Sequence, residues 1–436
     1  MSTARDDTPA LIAFVVGVAV LAFLYGTMAG WRDWFPAPYV KDAVRAYKQL
    51  NRPPRGRWYY SETDRTVAIP TLAADRVQPG LTLVTALGPD GGPLDVDILT
   101  HEGDAVQSWD IDWHETWPGD DRDHIPEYRL PQTRPGTHIH GIVLAENGDI
   151  IFNFESLGLV RMDPCGEVVW YLAHRTHHSV FRDEHDTLWV PGLDYHTVAD
   201  ERWPRHEPPF REPLVLRISL EGDILARHSV LELLRRNGLE GLLYQGTTQN
   251  RWFKASGDTM HLNDIEVFPS TLPAGVFHPG DLMVSLRNIS TVAVFRPPAM
   301  ELVHLSTGGF VRQHDPDFID GNTISVFDNS PVDKRSKIVL ESVDTGATRV
   351  HYTGSGEMPF FTDIMGKHQW LPNGNVLITE SMRGRAFEID PAGDVVWEYF
   401  NIVAPGTLGV MEEATRLPDT FTPDLFAARR TACGAG

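Results

Sequence analysis

One motif recurs along most of the chain, and it limits the fold more than any other feature. Each copy is a short apolar run, a turn of Gly, Asp or Asn, and further apolar runs, as in HGIVLAENGDIIFNFESLGLVRMDPCGEVVWYL. The copies start at Leu81, His140, His178, His261, His314 and His368. Six units of ~40–55 residues with short strands match the blades of a β-propeller. We therefore predict an all-β, six-bladed β-propeller over residues 58–415.

An uncharged segment near the N-terminus predicts a membrane anchor. The apolar run from Leu11 to Met28 lies between Asp7 and Arg32. As a helix it is long enough to cross roughly 30 Å of hydrocarbon. The start of the chain lacks the basic region of a cleaved signal peptide, which favours an uncleaved single transmembrane helix over residues 1–31.

A stalk with a short amphipathic helix is predicted over residues 32–57. Val40, Val44, Tyr47 and Leu50 recur at near-helical spacing among basic residues. By the positive-inside rule these basic residues would place the C-terminal side of the chain inside the cell. Assembly with a membrane-protein partner through this stalk is left open.

Charge and cysteine content exclude several classes of function. The chain has 38 Lys+Arg against 59 Asp+Glu, and its net charge of -21 repels phosphate backbones, so no nucleic acid partner is expected. Only Cys165 and Cys433 are present, so neither a disulfide framework nor a Cys-based zinc site is predicted. Residues 416–436 are predicted to form a C-terminal tail that frays from Ala427.

Five of the repeated units begin with histidine, and this recurrence predicts a site. The innermost strands of a propeller line its channel, so equivalent positions converge there. A metal site would draw on His178, His261 and His314, whereas Asn263 and Arg287 at inward positions oppose a divalent cation. Imidazoles and a guanidinium together favour a site for a sulfate-like or phosphate-like anion. We predict no metal and no cofactor.

Short segments occur in a fixed order between about His138 and Asn401. They are His261-Leu262-Asn263, Ser285-Leu286-Arg287, Gln313-His314-Asp315, Phe327-Asp328-Asn329 and Leu371-Pro372-Asn373-Gly374-Asn375. As an ordered set they resemble the H-x-N, S-x-R, QH, FDN and LPNGN segments of the bacterial arylsulfate sulfotransferase (arylsulfotransferase) family. The resemblance implies a propeller that moves a sulfuryl group from an aryl sulfate to a phenol without a nucleotide donor. It also implies that the propeller lies on the periplasmic side. Together with the predicted transmembrane helix, this gives a single-pass protein of the bacterial inner membrane.

The resemblance further implies roles for individual residues. The catalytic residues are His314, His261, His178 and Arg287, and the substrate-binding residues are Asn263 and His177. His314 is the nucleophile, which becomes transiently sulfurylated in a ping-pong reaction, and Arg287 holds the sulfuryl oxygens. Within the pair, His178 is preferred to His177 because it is in register with the other leading histidines.

Two functions from other classes are alternatives. A non-catalytic propeller scaffold would bind a partner protein or an anionic ligand, since propellers host many unrelated functions. A metal-dependent hydrolase is the third hypothesis. The joint presence of the implied nucleophile, the arginine and the H-x-N pair favours the transferase.

Overall fold

The structure is a computed structural model, and it describes most of the chain. The described residues are 8–32, 34–37, 39–40, 59–89, 92–119, 121–125, 130–245, 254–356 and 359–433. By its internal contacts the chain divides into two compact units, Met1–Trp58 and Tyr59–Gly436.

In the first unit, the helix α1 spans Thr8–Arg32 and is long and apolar enough to cross a membrane. Its run of Val, Leu, Ile and Phe carries no charged residue before Arg32, as expected for a segment in hydrocarbon. Apart from Val40, the amphipathic helix predicted in the stalk lies outside the described residues.

The second unit consists mostly of antiparallel sheets in a propeller-like arrangement. Six larger sheets occur among its described residues, and five of them have four strands. In spatial order, the strands of the first three sheets are as follows: sheet 1, β28 (Met411–Arg416), β2 (Thr82–Leu87), β3 (Leu94–Leu99) and β4 (Ala105–Ile111); sheet 2, β5 (Ile139–Leu144), β6 (Ile150–Phe154), β7 (Gly158–Met162) and β8 (Val168–Leu172); sheet 3, β9 (Phe181–Arg182), β10 (Leu188–His196), β11 (His206–Ile218) and β12 (Ile224–Ser229), with β13 (Ala255–Gly257) parallel to β11.

The other sheets follow the same pattern. Their strands are, for sheet 4, β14 (Leu262–Val267), β15 (Leu282–Leu286), β16 (Thr291–Arg296) and β17 (Glu301–Thr307); for sheet 5, β18 (His314–Asp320), β19 (Thr323–Asp328), β20 (Lys337–Ser342) and β21 (Ala347–Tyr352); for sheet 6, β22 (Lys367–Trp370), β23 (Val376–Glu380), β24 (Arg385–Ile389) and β25 (Val395–Phe400); and for a small sheet, β1 (Tyr60–Glu62), β27 (Thr407–Gly409) and β26 (Ile402–Ala404). The α-helices of this unit are α2 (Trp113–Thr116), α3 (Val230–Arg236) and α4 (Pro423–Cys433).

Turns with a fixed chemistry separate the strands within each sheet. Between β7 and β8, the Asp163 carboxylate accepts a hydrogen bond from the Cys165 backbone N–H at 2.8 Å. Gly166 then adopts a φ of 85°, a left-handed conformation that favours glycine. The turn between β24 and β25 repeats this arrangement with Asp390 and Gly393. These turns explain why the Gly and Asp positions of the motif recur.

The hydrophobic core lies between neighbouring sheets. Val190 and Leu216 of sheet 3, for example, are fully buried in one cluster with Ile151 and Leu159 of sheet 2. The first strands also contact each other in succession, from β28 to β5, β9, β14, β18, β22 and back to β28. Residues at the starts of these strands therefore converge.

The C-terminal segment differs from the prediction. The strand β28 ends at Arg416, where the predicted tail begins, and it pairs with β2 from the beginning of the unit, with Arg416 opposite Thr82. Residues 423–433 form the helix α4, so the frayed tail predicted from Ala427 is wrong. The prediction overlooked Phe426, which is fully buried in the cluster between sheets 1 and 2.

A disulfide ties this C-terminal helix to sheet 2. Cys433 at the end of α4 is bonded to Cys165, 268 residues earlier in the turn between β7 and β8. Two cysteines predict no disulfide framework, and a single cross-link between such distant cysteines carries no spacing signal. It closes a very long loop, for which the chain-entropy model expects a large stabilisation.

Candidate active site

The leading histidines meet where the first strands begin. His261 directly precedes β14, His314 is the first residue of β18, and His178 lies shortly before β9. His178 and His261 have φ angles of 58° and 55°, in the left-handed region that non-glycine residues seldom occupy. Such backbone conformations persist only where the surrounding structure holds them, and they are frequent at functional sites.

The rings of these and neighbouring histidines contact one another, and we call them the histidine cluster. The cluster comprises His138, His140, His177, His178 and His261. Ring centroids are 4.8 Å apart for His178 and His261 and 4.2 Å apart for His140 and His178. Nε2 of His178 lies 3.2 Å from Nε2 of His261, so one of these nitrogens must donate to the other.

Asp258 orients His261. The Asp258 carboxylate accepts from the backbone N–H of His261 at 3.0 Å, and it lies 2.6 Å from Nδ1 of the same ring. Arg211 donates to the same carboxylate at 3.1 Å. Burial lowers the pKa of His261, although Asp258 acts in the opposite direction. The ring is therefore mainly neutral at neutral pH, and Asp258 can stabilise it when it takes a proton.

His177 and His178 both belong to the cluster. Their Nδ1 atoms are 2.8 Å apart, and both side chains are buried. Burial lowers the pKa of His177 to about 4. Burial and the neighbouring His140 and His261 lower the pKa of His178 well below its usual value. Both rings are therefore neutral at physiological pH. The structure places both His177 and His178 at the site, and not only one of the pair.

His314 has one buried ring nitrogen without a hydrogen-bond partner among the described residues. Its Nδ1 lies 2.7 Å from Oδ1 of Asn329. Its Nε2 is buried and has no hydrogen-bond partner among the described residues. Burial and the positive charge of Arg287 lower the pKa of His314 well below its usual value. This imidazole is therefore a neutral base with an available lone pair.

Arg287 provides a positive charge at the site. It directly follows β15, and its backbone N–H donates to the His261 carbonyl at 3.1 Å. Within the described part of the chain its guanidinium has no carboxylate partner and contacts only Oδ1 of Asn288, at 3.4 Å. Burial and the nearby Arg312 lower the pKa of Arg287 to about 10. A half-buried cation of this kind is suited to an anionic ligand.

Asn263 acts on the backbone beside His314. Its Nδ2 donates to the Gln313 carbonyl at 2.8 Å, and Gln313 in turn donates to Oγ of Ser285 at 3.0 Å. Oδ1 of Asn263 is buried without a partner among the described residues. The structure thus links this residue, which the resemblance implies to be substrate-binding, to the segment that carries His314.

Three carboxylates that sequence analysis did not single out complete the site. Besides Asp258, these are Glu155, which lies 3.1 Å from Nδ1 of His140, and Glu412, which lies 2.6 Å from Nδ1 of His138. Only Asp258 had a usable signal, since it precedes His261 by three residues. Glu412 belongs to β28, and it lies near His138 only because this C-terminal strand pairs with β2 in sheet 1.

Some of these groups have the spacing of metal ligands. Single ligand atoms of His138, His140 and Glu412 lie within 4.8 Å of one another, as do those of His140, Glu155 and His178. Each imidazole of the first group already lies at hydrogen-bonding distance from a carboxylate oxygen. At these distances each imidazole can hydrogen-bond directly to its carboxylate without a metal ion between them.

A small cleft of about 20 Å³ borders the cluster, and its lining includes His177, His178, Arg211, Asp258 and His261. The site thus combines neutral imidazoles, an unpaired guanidinium and a carboxylate that can stabilise a protonated ring. This combination can bind an anionic tetrahedral group, supply a nucleophile and exchange a proton.

Comparison with known proteins gives one family match. A family model described as Arylsulfotransferase (ASST) matches residues 141–402, which is more than half of the chain. No curated protein matches the chain.

Similarities to solved structures are weak. A protein of unknown function from Bacteroides caccae is similar over 77% of this chain and 98% of its own, at 13% identity and a TM-score of 0.46. Virginiamycin B lyase from Staphylococcus aureus is similar over 59% of this chain and 69% of its own, at 9% identity and a TM-score of 0.34.

The pairing of His138 with Glu412 predicts a specific pH dependence of stability. Although burial favours the neutral ring, the Glu412 carboxylate raises the pKa of His138 from 6.5 to about 9. A raised pKa stabilises the folded state fully below pH ~6.5, and this stabilisation is lost as the pH rises through about 9. Glu412→Gln should remove about 3 kcal/mol of pH-dependent stability.

The measurement is urea unfolding of the full chain in detergent at about pH 6 and about pH 10. The difference in unfolding free energy between the wild type and Glu412→Gln should shrink toward the higher pH. His138→Gln is the matched control. It removes the imidazole and keeps the Glu412 carboxylate, so it should abolish the same pH dependence. A difference that is the same at both pH values would contradict the assignment.

Proposed function

Because this chain belongs to the arylsulfotransferase family, we propose that it transfers a sulfuryl group from an aryl sulfate to a phenolic acceptor without a nucleotide donor. The group passes through a sulfo-histidine on His314. The observation that carries this proposal is the buried, neutral His314 imidazole, whose Nε2 has no partner among the described residues. The unpaired guanidinium of Arg287 supports it further.

We also propose that the six larger sheets are the blades of a β-propeller. Three observations support this: the succession of contacts between first strands, the apolar clusters between neighbouring sheets, and the pairing of β28 with β2. In a propeller the first strands line the central channel. The histidine cluster, His314 and Arg287 would then surround one end of that channel.

The reaction follows as two displacements at sulfur. In the first, a nitrogen of the neutral His314 ring attacks sulfur, the S–O bond to the aryl group breaks, and its electron pair leaves with the phenolate oxygen. In the second, an acceptor phenol oxygen attacks the same sulfur, the S–N bond breaks, and the neutral imidazole is restored. This order predicts ping-pong kinetics.

The other residues stabilise charge and move a proton. Arg287 and His178 stabilise the charge on the equatorial sulfuryl oxygens, where preorganised donors act most strongly, and His261 joins them when its ring is protonated. His261 is placed to exchange the proton of the phenol, because Asp258 lies 2.6 Å from its Nδ1 and stabilises the imidazolium. Asn263 holds the segment that carries His314 through the Gln313 carbonyl.

We propose that the second unit lies on the periplasmic side of the bacterial inner membrane, anchored by α1 as a single span. The helix is long and apolar enough for this role. The basic stalk residues favour the opposite orientation. The disulfide between Cys165 and Cys433 supports the periplasm, because structural disulfides persist in oxidising compartments and are rare in the cytosol.

The sulfo-histidine is tested by intact mass of the full chain in detergent, mixed with a chromogenic aryl sulfate in the absence of acceptor. The wild type should gain one sulfuryl group, and His314→Ala should gain none and lose all transfer. Arg287→Lys should slow transfer roughly 10–100-fold, because an ammonium lacks the planar pair of donors.

His304→Ala is the control for this experiment, since His304 is a half-buried histidine on the outermost strand of sheet 4. It should retain both the adduct and the activity. Turnover in His314→Ala at the wild-type rate would show that another group is the nucleophile. Binding of the aryl sulfate by the wild type without any turnover would favour the anion-binding scaffold.

The proposed topology is tested in cells by a fusion and by the state of the cysteines. A reporter that is active only after export should be active when fused after Gly436. Trapping of free thiols by alkylation should leave the wild type with both cysteines oxidised, and Cys433→Ser should leave Cys165 free as the matched control. Two reduced cysteines in the wild type, together with an inactive reporter, would place this unit in the cytoplasm.

A further inference from the structure

We propose that Asn329 is a positioning residue that fixes the tautomer of His314, so that Nδ1 carries the hydrogen and Nε2 carries the lone pair that attacks sulfur. The inference rests on the proposed function for the identity of the electrophile. The tautomer itself follows from the hydrogen bonds of two buried side chains.

The orientation of the Asn329 amide is determined by its partners. Its Nδ2 lies 3.0 Å from the backbone carbonyl of Thr362 and 2.7 Å from that of Met365. Carbonyl oxygens can only accept, so the NH₂ group must face them and Oδ1 must face His314. Asn329 is fully buried, which leaves no room for a reversed amide solvated by water.

The orientation of the amide then determines the state of the ring. Oδ1 of Asn329 lies 2.7 Å from Nδ1 of His314 and can only accept, so Nδ1 must donate. Burial and the charge of Arg287 favour the neutral ring by lowering its pKa. A neutral imidazole with its hydrogen on Nδ1 has its lone pair on Nε2, and Nε2 is the buried nitrogen without a described partner.

The segment that holds Asn329 is itself firmly anchored. Ser336 Oγ lies 3.2 Å from the carbonyls of both Asn329 and Thr362 and can donate to either, and it accepts from the Thr362 backbone N–H at 3.1 Å. Gly366, at a φ of 102°, packs so closely on the Phe327 ring that a Cβ atom there would lie 2.5 Å from it. The two carbonyls that orient the amide are therefore held in place.

An amide suits this step better than a carboxylate would. When Nε2 attacks sulfur, the S–N bond forms, the S–O bond breaks, and the electron pair leaves with the phenol oxygen. The hydrogen on Nδ1 stays where it is, hydrogen-bonded to Oδ1 of Asn329, so His314 needs no base. A carboxylate at this position would instead stabilise the imidazolium, which has no lone pair for attack.

The tautomer can be measured without any turnover. The full chain in detergent, labelled with ¹⁵N in its histidine rings, should show His314 as the neutral form with hydrogen on Nδ1, assigned by loss of its signals in His314→Gln. In Asn329→Leu the Nδ1 preference should be lost, and kcat should fall about 10²–10⁴-fold with little change in KM.

Ser330→Ala is the matched control. It removes a buried hydroxyl from the residue next to Asn329, where that hydroxyl donates to Asp333, and leaves the contact between Asn329 and His314 untouched. This variant should keep both the tautomer and the activity. A loss of activity in Ser330→Ala equal to that in Asn329→Leu would reduce Asn329 to a structural role and overturn the proposal.

A second variant tests the same point through pH. Asn329→Asp places a carboxylate beside Nδ1, which raises the pKa of His314, so the acid limb of kcat/KM should move to higher pH. An unchanged acid limb would contradict the proposal, as would hydrogen on Nε2 in the wild type. If the wild type shows hydrogen on Nδ1 but transfers no sulfuryl group, the proposed function fails and the tautomer assignment stands.

Discussion

Pairing of the C-terminal strand β28 with β2 is the interaction on which the rest of the structure depends. It completes sheet 1 from both ends of the second unit and brings Glu412 against His138. The disulfide between α4 and sheet 2 also fixes the C-terminal segment that follows β28. In this position β28 joins β22 to β5 and completes the succession of contacts between first strands, which brings histidines from separate repeats together. The same strand pairing therefore stabilises the fold and positions residues of the site.

Local charge divides the buried histidines into two classes. His138 and His314 are both buried or nearly so, yet their pKa values shift in opposite directions. Glu412 overcomes the cost of burial for His138 and keeps that ring protonated, whereas Arg287 adds to burial for His314 and keeps that ring neutral. The hydrogen bond to the Asn329 amide raises the pKa of His314, but it does not offset burial and Arg287, so the ring stays neutral. The proposed nucleophile is therefore uncharged, and the positive charge of Arg287 remains available to an anionic ligand.

Much of this arrangement could be predicted from the sequence because it repeats. The recurring turns indicated the sheets, and the histidines that begin successive units indicated a common site. Features that occur only once could not be predicted. β28 has no motif that assigns it to sheet 1, and two cysteines 268 residues apart carry no spacing signal. The role of Asn329 depends on backbone carbonyls at Thr362 and Met365, which only the folded chain brings together.

The central claim is that the sulfuryl group passes through His314 on its way between two phenols. The most direct measurement uses an aryl sulfate made chiral at sulfur with three oxygen isotopes and determines the configuration of the product ester. Each in-line displacement inverts sulfur, so two displacements through a sulfo-histidine give net retention. Net inversion would mean a single direct transfer between the phenols, and it would contradict the assignment of His314 as the nucleophile.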